Sequence, residues 1–356
     1  MHAEYASFAL APATRTGGVL PGGAYQAHRD FLDFVVDGRP LLSRLDDVDA
    51  VSPLAADLGP TVFTAHVRSL LLESEAPLDG GRHVLYGCPE CEDLGCGAVT
   101  AVIEREGDGE DGGEDAAVVW RDFAWQTDVK VDLERDGYPG IGPFRFRARE
   151  YRAELERLLA EGGAEAPPRR VLLVGARAPV LTRLAKALRQ TGIGAEISRE
   201  AAGASPEELR GYAAVAFDRA VGAEERRAVR AAFAAAGSDA VFLEGPAPVV
   251  PVLVAQTEQA LDRAARGRRQ LVALEASGTT VTVGTAVPCR VRLTAYRLDR
   301  LHRTRTRTRE LLDTTLEAGT HSLELDARTA RGESFVVART TSNVLVVPVT
   351  RSRPGA

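Results

Sequence analysis

Three of the four cysteines in this chain sit in one short segment, Cys88, Cys91 and Cys96, spaced C-x2-C-x4-C. Thiolates are soft donors, and two of them three positions apart on a hairpin turn converge on one side of it, as a tetrahedral zinc site requires. Cys88-Pro-Glu-Cys91 is therefore half of a zinc ribbon. A full ribbon has a second C-x2-C pair, whereas only Cys96 follows here. His83, His66, Asp93 and Cys289 are the candidates for a fourth ligand, and spacing does not choose among them. Two other readings stay open. The thiols could be small apolar groups that support a loop. They could also form a redox or nucleophilic pair, which needs a lowered thiol pKa. Glu90, Glu92 and Asp93 weigh against that, because nearby negative charge raises a thiol pKa. An iron–sulfur cluster needs four ligands.

No other grouping of reactive residues stands out. The six histidines are scattered, without a Ser-His-Asp or H-E-x-x-H arrangement, and His66 reads as a core residue on a helix face. The acidic, Gly-rich run Glu106–Asp115 does not place its carboxylates at EF-hand positions, so it reads as a solvated hairpin loop. Arg303, Arg305, Arg307 and Arg309 alternate with threonine, which on a strand puts four guanidinium groups on one face. Such a stripe either protects a sheet edge from aggregation or meets an acidic partner.

The elements that would position these groups fall into three blocks. The chain has 356 residues, 45% hydrophobic and 26% charged, enough for several cored domains. A net charge of −6 gives no overall basic field for nucleic acid or a membrane surface. Lys130 and Lys186 are the only lysines, a sign of high-GC codon usage. The N-terminal residues lack a signal-peptide pattern and no apolar run reaches membrane-spanning length, so a cytoplasmic protein without a disulfide framework is expected.

Residues 1–160 read as an α+β domain. Its expected strands are Phe31–Val36, Pro40–Leu45, His83–Gly87, Ala98–Arg105, Ala117–Trp125 and Phe144–Phe146, with helices over Pro60–Leu72 and Ala148–Leu159. Glu161–Pro168 is the expected linker. Residues 169–267 alternate apolar strands with amphipathic helices, the pattern of a parallel sheet covered on both faces. A basic hinge, Arg266–Arg269, leads to residues 268–350, which contain only strand and turn signals and predict a β-sandwich.

Each block carries a resemblance. The runs LYGCPECEDLGCGAVTAVIERE, VVWRDFAW and GYPGIGPFRFRAREY resemble a small, uncharacterised bacterial domain with a C-x-E-C-x-D-x-G-C-G-A-x-T signature. That resemblance covers about residues 30–157. It implies an intracellular domain defined by its cysteine loop, and it transfers no activity. The middle block is similar to a Rossmann-type nucleotide-binding domain. Gly175 stands where the first glycine of G-x-G-x-x-G belongs, but Arg177 and Val180 replace the second and third. Arg199 ends the second strand in place of a ribose-binding acid; Asp218 and Glu244 follow the third and fourth strands. A side chain at the second glycine position blocks approach to a pyrophosphate, so tight NAD(P) binding is not expected. The last block resembles the immunoglobulin-like domain of flagellar hook-capping proteins, through VPCRVRLTAYRLDRLHRTRTRTREL and LEAGTHSLELDARTARGESFVVART. It implies a sandwich used for assembly or protein contact.

The expectation is thus a multidomain chain: an α+β cysteine-loop domain, a Rossmann-like α/β domain and an immunoglobulin-like sandwich. Its expected role is non-catalytic binding or assembly, with self-association or a protein partner at the last domain. The alternative is an NAD(P)-dependent oxidoreductase using Gly175, Arg177, Arg199, Asp218 and Glu244. Zinc on Cys88, Cys91 and Cys96 is the candidate cofactor in the first case.

Overall fold

A computed structural model describes residues 5–20, 22–45, 48–55, 60–91, 93–107, 116–160, 170–175, 179–199, 201–243, 249–262, 269–298, 306–326, 329 and 333–350. The chain forms two compact units. One comprises Met1–Ala13 and Arg29–Ala166; the other comprises Thr14–His28 and Pro167–Ala356. The expected linker Glu161–Pro168, and the hinge 266–269 apart from Arg269, lie outside the described residues.

The chain opens with β1 (Phe8–Arg15), then the hairpin β2 (Gly18–Val19) and β3 (Tyr25–Gln26), then β4 (Arg29–Val36) and β5 (Arg39–Pro40). Strands β1, β4 and β5 form one sheet of the first unit. The strand expected over Pro40–Leu45 is instead the end of β5 and a 3-10 turn over Leu42–Arg44. Proline has no N–H to extend a ladder. The Ser43 hydroxyl donates back to the Pro40 carbonyl at 2.7 Å, closing the turn.

The larger sheet of this unit follows helix α1 (Pro60–Leu70). Strands β6 (Arg82–Gly87), β7 (Ala98–Glu106) and β8 (Ala117–Gln126) precede a single helical turn, α2 (Leu133–Asp136), and β9 (Phe144–Arg147). The four strands pair antiparallel in chain order. Helix α3 (Ala148–Ala160) ends the unit. Phe63, Val67 and Leu70 of α1 and Tyr151, Leu155 and Leu158 of α3 are the buried stripes. Both pack into one core whose hub is Trp120, edge-on to Phe34 at 5.2 Å and Phe8 at 5.6 Å. Beyond Gly107, the acidic loop Glu106–Asp115 lies outside the described residues.

The second unit begins with β10 (Arg170–Val174), α4 (Pro179–Gln190), β11 (Gly194–Ser198) and α5 (Pro206–Arg210). It continues with β12 (Ala214–Phe217), α6 (Ala223–Ala235), β13 (Val241–Leu243) and α7 (Val250–Leu261). The strands form the expected all-parallel sheet, ordered β11-β10-β12-β13. Alternate residues of each strand enter opposite cores. Val171 and Leu173 pack with α4 and α7; Leu172 and Val174 pack with α5 and α6.

Seven strands complete this unit: β14 (Leu271–Ser277), β15 (Thr280–Thr285), β16 (Cys289–Leu298), β17 (Thr306–Leu316), β18 (Gly319–Glu324), β19 (Ser334–Arg339) and β20 (Val344–Pro348). They form two antiparallel sheets, β14-β15-β18 and β17-β16-β19-β20. Helix α7 is apolar around most of its circumference because it has two dry faces. Leu253 and Val254 enter the core of the parallel sheet; Val252 and Ala255 pack with Tyr296, Phe335 and Val337 of the sandwich. The Thr14–His28 segment is fastened by a buried polar contact. His28 Nδ1 lies 2.8 Å from Glu258 Oε2 on α7, with both side chains buried. Strand β17 is a sheet edge on which Arg307 and Arg309 are exposed; Arg309 pairs with Asp326 at 2.9 Å. Arg303 and Arg305 lie outside the described residues.

Candidate metal centre

The cysteine segment is the loop of the β6–β7 hairpin, and the sheet beneath it is locked by buried polar groups. The Arg82 guanidinium donates to Thr100 Oγ1 at 2.9 Å and to the Asp122 carbonyl at 2.7 Å. Thr100 in turn donates to Gln126 at 2.8 Å. Register shifts in β6 between Val84 and Tyr86, and in β7 between Thr100 and Val102, flank this network. Such bulges bend a strand and re-aim its side chains. Next to the loop, the Tyr86 hydroxyl donates to the buried carboxylate of Asp33. Burial and that carboxylate hold the Tyr86 pKa well above the ordinary tyrosine range.

The loop is held from both ends. Gly87 and Val51 exchange backbone hydrogen bonds of 2.8 and 3.0 Å. Arg29 Nε donates to the Pro89 carbonyl at 2.9 Å. Asp93 caps the short 3-10 turn Leu94–Cys96 by accepting from the Gly95 N–H at 2.8 Å. Gly97 then turns the chain into β7 with φ 100° and ψ 146°, a conformation that essentially only glycine adopts. A Cβ there would stand 2.0 Å from Trp125 Cζ2. The signature residues Asp93, Gly97 and Thr100 thus have structural duties that leave the three cysteines to face one another.

The three sulfurs lie within 4.8 Å of one another. All are free thiols, Cys91 and Cys96 exposed and Cys88 partly covered. Cys91 and Cys96 lie 3.2 Å apart, sulfur to sulfur. Burial by itself would raise the Cys88 pKa. The backbone N–H groups of Glu90 and Cys91, and hydrogen bonds from the Cys91 and Cys96 thiols, outweigh it and bring the thiol below its usual value. The thiol pKa, expected from sequence to be raised by acidic neighbours, is instead lowered at Cys88 by these turn amides and thiols. Cys96 is pushed up to about 11, first by its hydrogen bond with Cys91 and then by the charge of Cys91. The Cys88 thiolate is thus favoured over that of Cys96; a bound cation would displace the thiol protons.

The donor set suits zinc or another thiophilic ion. Among the described residues, none of the fourth-ligand candidates joins the group. His83 is buried on β6, 3.1 Å from Ser69 Oγ, and burial lowers its pKa to about 4. Cys289 is buried in the sandwich core of the second unit. His66 is half-exposed on α1, and Asp93 serves as the cap.

The other expected site residues are placed at the carboxyl edge of the parallel sheet. Gly175 follows β10, Arg199 follows β11 and is exposed, and Asp218 follows β12. Arg177 and Glu244 lie outside the described residues. The Gly175 N–H donates to the Ser198 carbonyl at 3.0 Å. The Asp218 side chain packs on Gly175 so closely that a Cβ there would lie 2.5 Å from Asp218 Cβ. Asp33, Arg82 and Gln126 were not singled out in sequence; isolated polar residues in apolar strands carry no spacing signal.

No protein-family model matches this chain, and no curated protein or solved structure matches it either.

Proposed function

We propose that this chain is a non-catalytic binding or assembly protein whose first unit holds a metal ion, zinc in the simplest case, on Cys88, Cys91 and Cys96. The observation that carries the reading is the convergence of three free sulfurs within 4.8 Å on a braced hairpin loop. The backbone amides that favour the Cys88 thiolate support it further. The second unit fits the role of a scaffold. Its three- and four-stranded antiparallel sheets support an immunoglobulin-like reading of residues 268–350. The parallel sheet supports a Rossmann-like reading of residues 169–267.

The alternative, an NAD(P)-dependent oxidoreductase, rests on that parallel sheet. Its carboxyl edge is where ligands bind in such folds. Asp218, packed on Gly175, puts a carboxylate where a pyrophosphate would need N–H donors. This favours the scaffold reading. For partner contact, the exposed Arg307 and Arg309 on edge strand β17 support association with an acidic surface.

Elemental analysis and an absorbance scan of the purified protein test the proposal. One zinc per chain without a flavin or nicotinamide band supports it; a stoichiometric nicotinamide or flavin favours the oxidoreductase. Light scattering at low and high salt tests association. A mass that falls with salt, and falls likewise on Arg307→Gln/Arg309→Gln substitution, supports contact through β17; an unchanged mass removes that part.

A further inference from the structure

The number and spacing of the thiols narrow the ion that the loop is built to hold, given the reading of the cysteine cluster as a metal site. Tetrahedral zinc, with Zn–S bonds of about 2.3 Å, holds its sulfurs about 3.8 Å apart and takes four donors. One pair of sulfurs, Cys91 and Cys96, is already closer, at 3.2 Å, and the Cys88 sulfur lies within 4.8 Å of both. At the same bond length, angles near 90° need a separation of only about 3.3 Å. That narrow pyramid belongs to ions that take three ligands and point a lone pair away from them.

Three further observations agree. Among the described residues, no histidine, carboxylate or fourth cysteine joins the three thiols. Asp93, two residues from Cys91, accepts from the Gly95 N–H through Oδ1. Cys91 and Cys96 are exposed, so an ion has direct access from solvent. The loop is also braced before any ion binds, by Arg29 on Pro89, by the Val51–Gly87 pair and by Gly97 against Trp125. Preorganisation of this kind reduces the ordering entropy lost on binding. Soft thiolates then select thiophilic ions over hard ones.

We propose that the Cys88–Cys91–Cys96 loop captures a thiophilic ion of pyramidal, three-coordinate preference, with trivalent arsenic as the representative. The step is ligand exchange without redox change. Arsenous acid carries three As–O bonds. Each thiol forms one As–S bond as one As–O bond breaks, and its proton leaves with the hydroxide as water. Three thiols and one As(OH)3 give one As(SR)3 and three waters.

The test uses the full-length, reduced, metal-free protein titrated with arsenite, and separately with zinc. Native mass spectrometry and maleimide labelling should find one arsenic per chain and all three loop thiols protected. X-ray absorption of the wild-type complex should find three sulfur neighbours around arsenic. Cys91→Ser, which leaves two thiols, should weaken arsenite binding at least about tenfold. Protection of two thiols or fewer in the wild type, or two sulfurs and an oxygen around arsenic, overturns the proposal however the variant folds. Zinc binding without arsenite binding sinks this inference and leaves the proposed metal site intact. Arsenite binding without zinc binding does the reverse for the zinc reading, and binding of neither sinks both.

Discussion

The hairpin loop of the first unit and the carboxyl edge of the parallel sheet in the second make an instructive pair. The sheet edge is where the topology of a parallel α/β layer usually puts a ligand. Yet here Asp218 packs against Gly175 at the end of β10. The hairpin loop has no such topological claim. It nevertheless brings three identical donors within 4.8 Å and leaves two of them open to solvent. A site is made by convergent chemistry held in place, and fold position alone does not make one. The remaining polar groups divide in the same way. In the second unit the His28–Glu258 pair is buried and structural. In the loop, the cysteines are available.

The largest effect expected from this contrast is at that buried pair. Removing one partner of a buried, hydrogen-bonded pair of titratable groups costs about 3–5 kcal/mol, so His28→Ala should lower the urea midpoint sharply without altering zinc binding. A loss of zinc affinity alongside intact stability would reverse the assignment of roles. Gly97→Ala comes next. Backbone strain and overlap with Trp125 together cost about 2–5 kcal/mol, and zinc affinity should fall as well because the turn that carries Cys96 must shift. Retention of both would mean the loop is not braced as described.

A third effect concerns pH. His83 has its folded pKa depressed by burial to about 4, below the ordinary value of 6.5. Between those values the unfolded chain binds the extra proton, so stability is full above about pH 6.5 and declines as pH falls toward 4. The shift is equivalent to at most about 3 kcal/mol. His83→Gln should flatten that part of the stability profile and leave zinc affinity unchanged; a drop in affinity would make His83 a ligand after all. The smallest effect is at the sheet edge. Gly175→Ala should cost about 1–3 kcal/mol by crowding Asp218. NAD(P)H titration of the wild type should show no saturation in the micromolar range. Micromolar binding that is lost on this substitution would restore the oxidoreductase reading.

Much of the framework was legible in the sequence. The hairpin flanking the cysteines, the parallel sense of the middle sheet and most sandwich strands follow from apolar periodicity and turn residues. The convergence of Cys88, Cys91 and Cys96 was legible because short spacing on a hairpin leaves few other outcomes. What escaped depends on distant parts of the chain. Strand β1 supplies Phe8 to the Trp120 core, but FALAPATR alternates too weakly to announce a strand. The excursion of residues 14–28 into the second unit rests on contacts far apart in sequence, such as His28 with Glu258, 230 positions on, and the Thr16 N–H with the Thr341 carbonyl. The strand expected after Pro40 became a 3-10 turn through a local hydroxyl bond, which periodicity does not register.

Cobalt titration of the reduced, metal-free protein tests the central claim most directly, because thiolate-to-cobalt absorption counts sulfur ligands. The account predicts intense thiolate bands that saturate at one cobalt per chain, are displaced by zinc, and vanish in the Cys88→Ser/Cys91→Ser/Cys96→Ser variant. Absence of those bands in the wild type, or their survival in the triple variant, would contradict it.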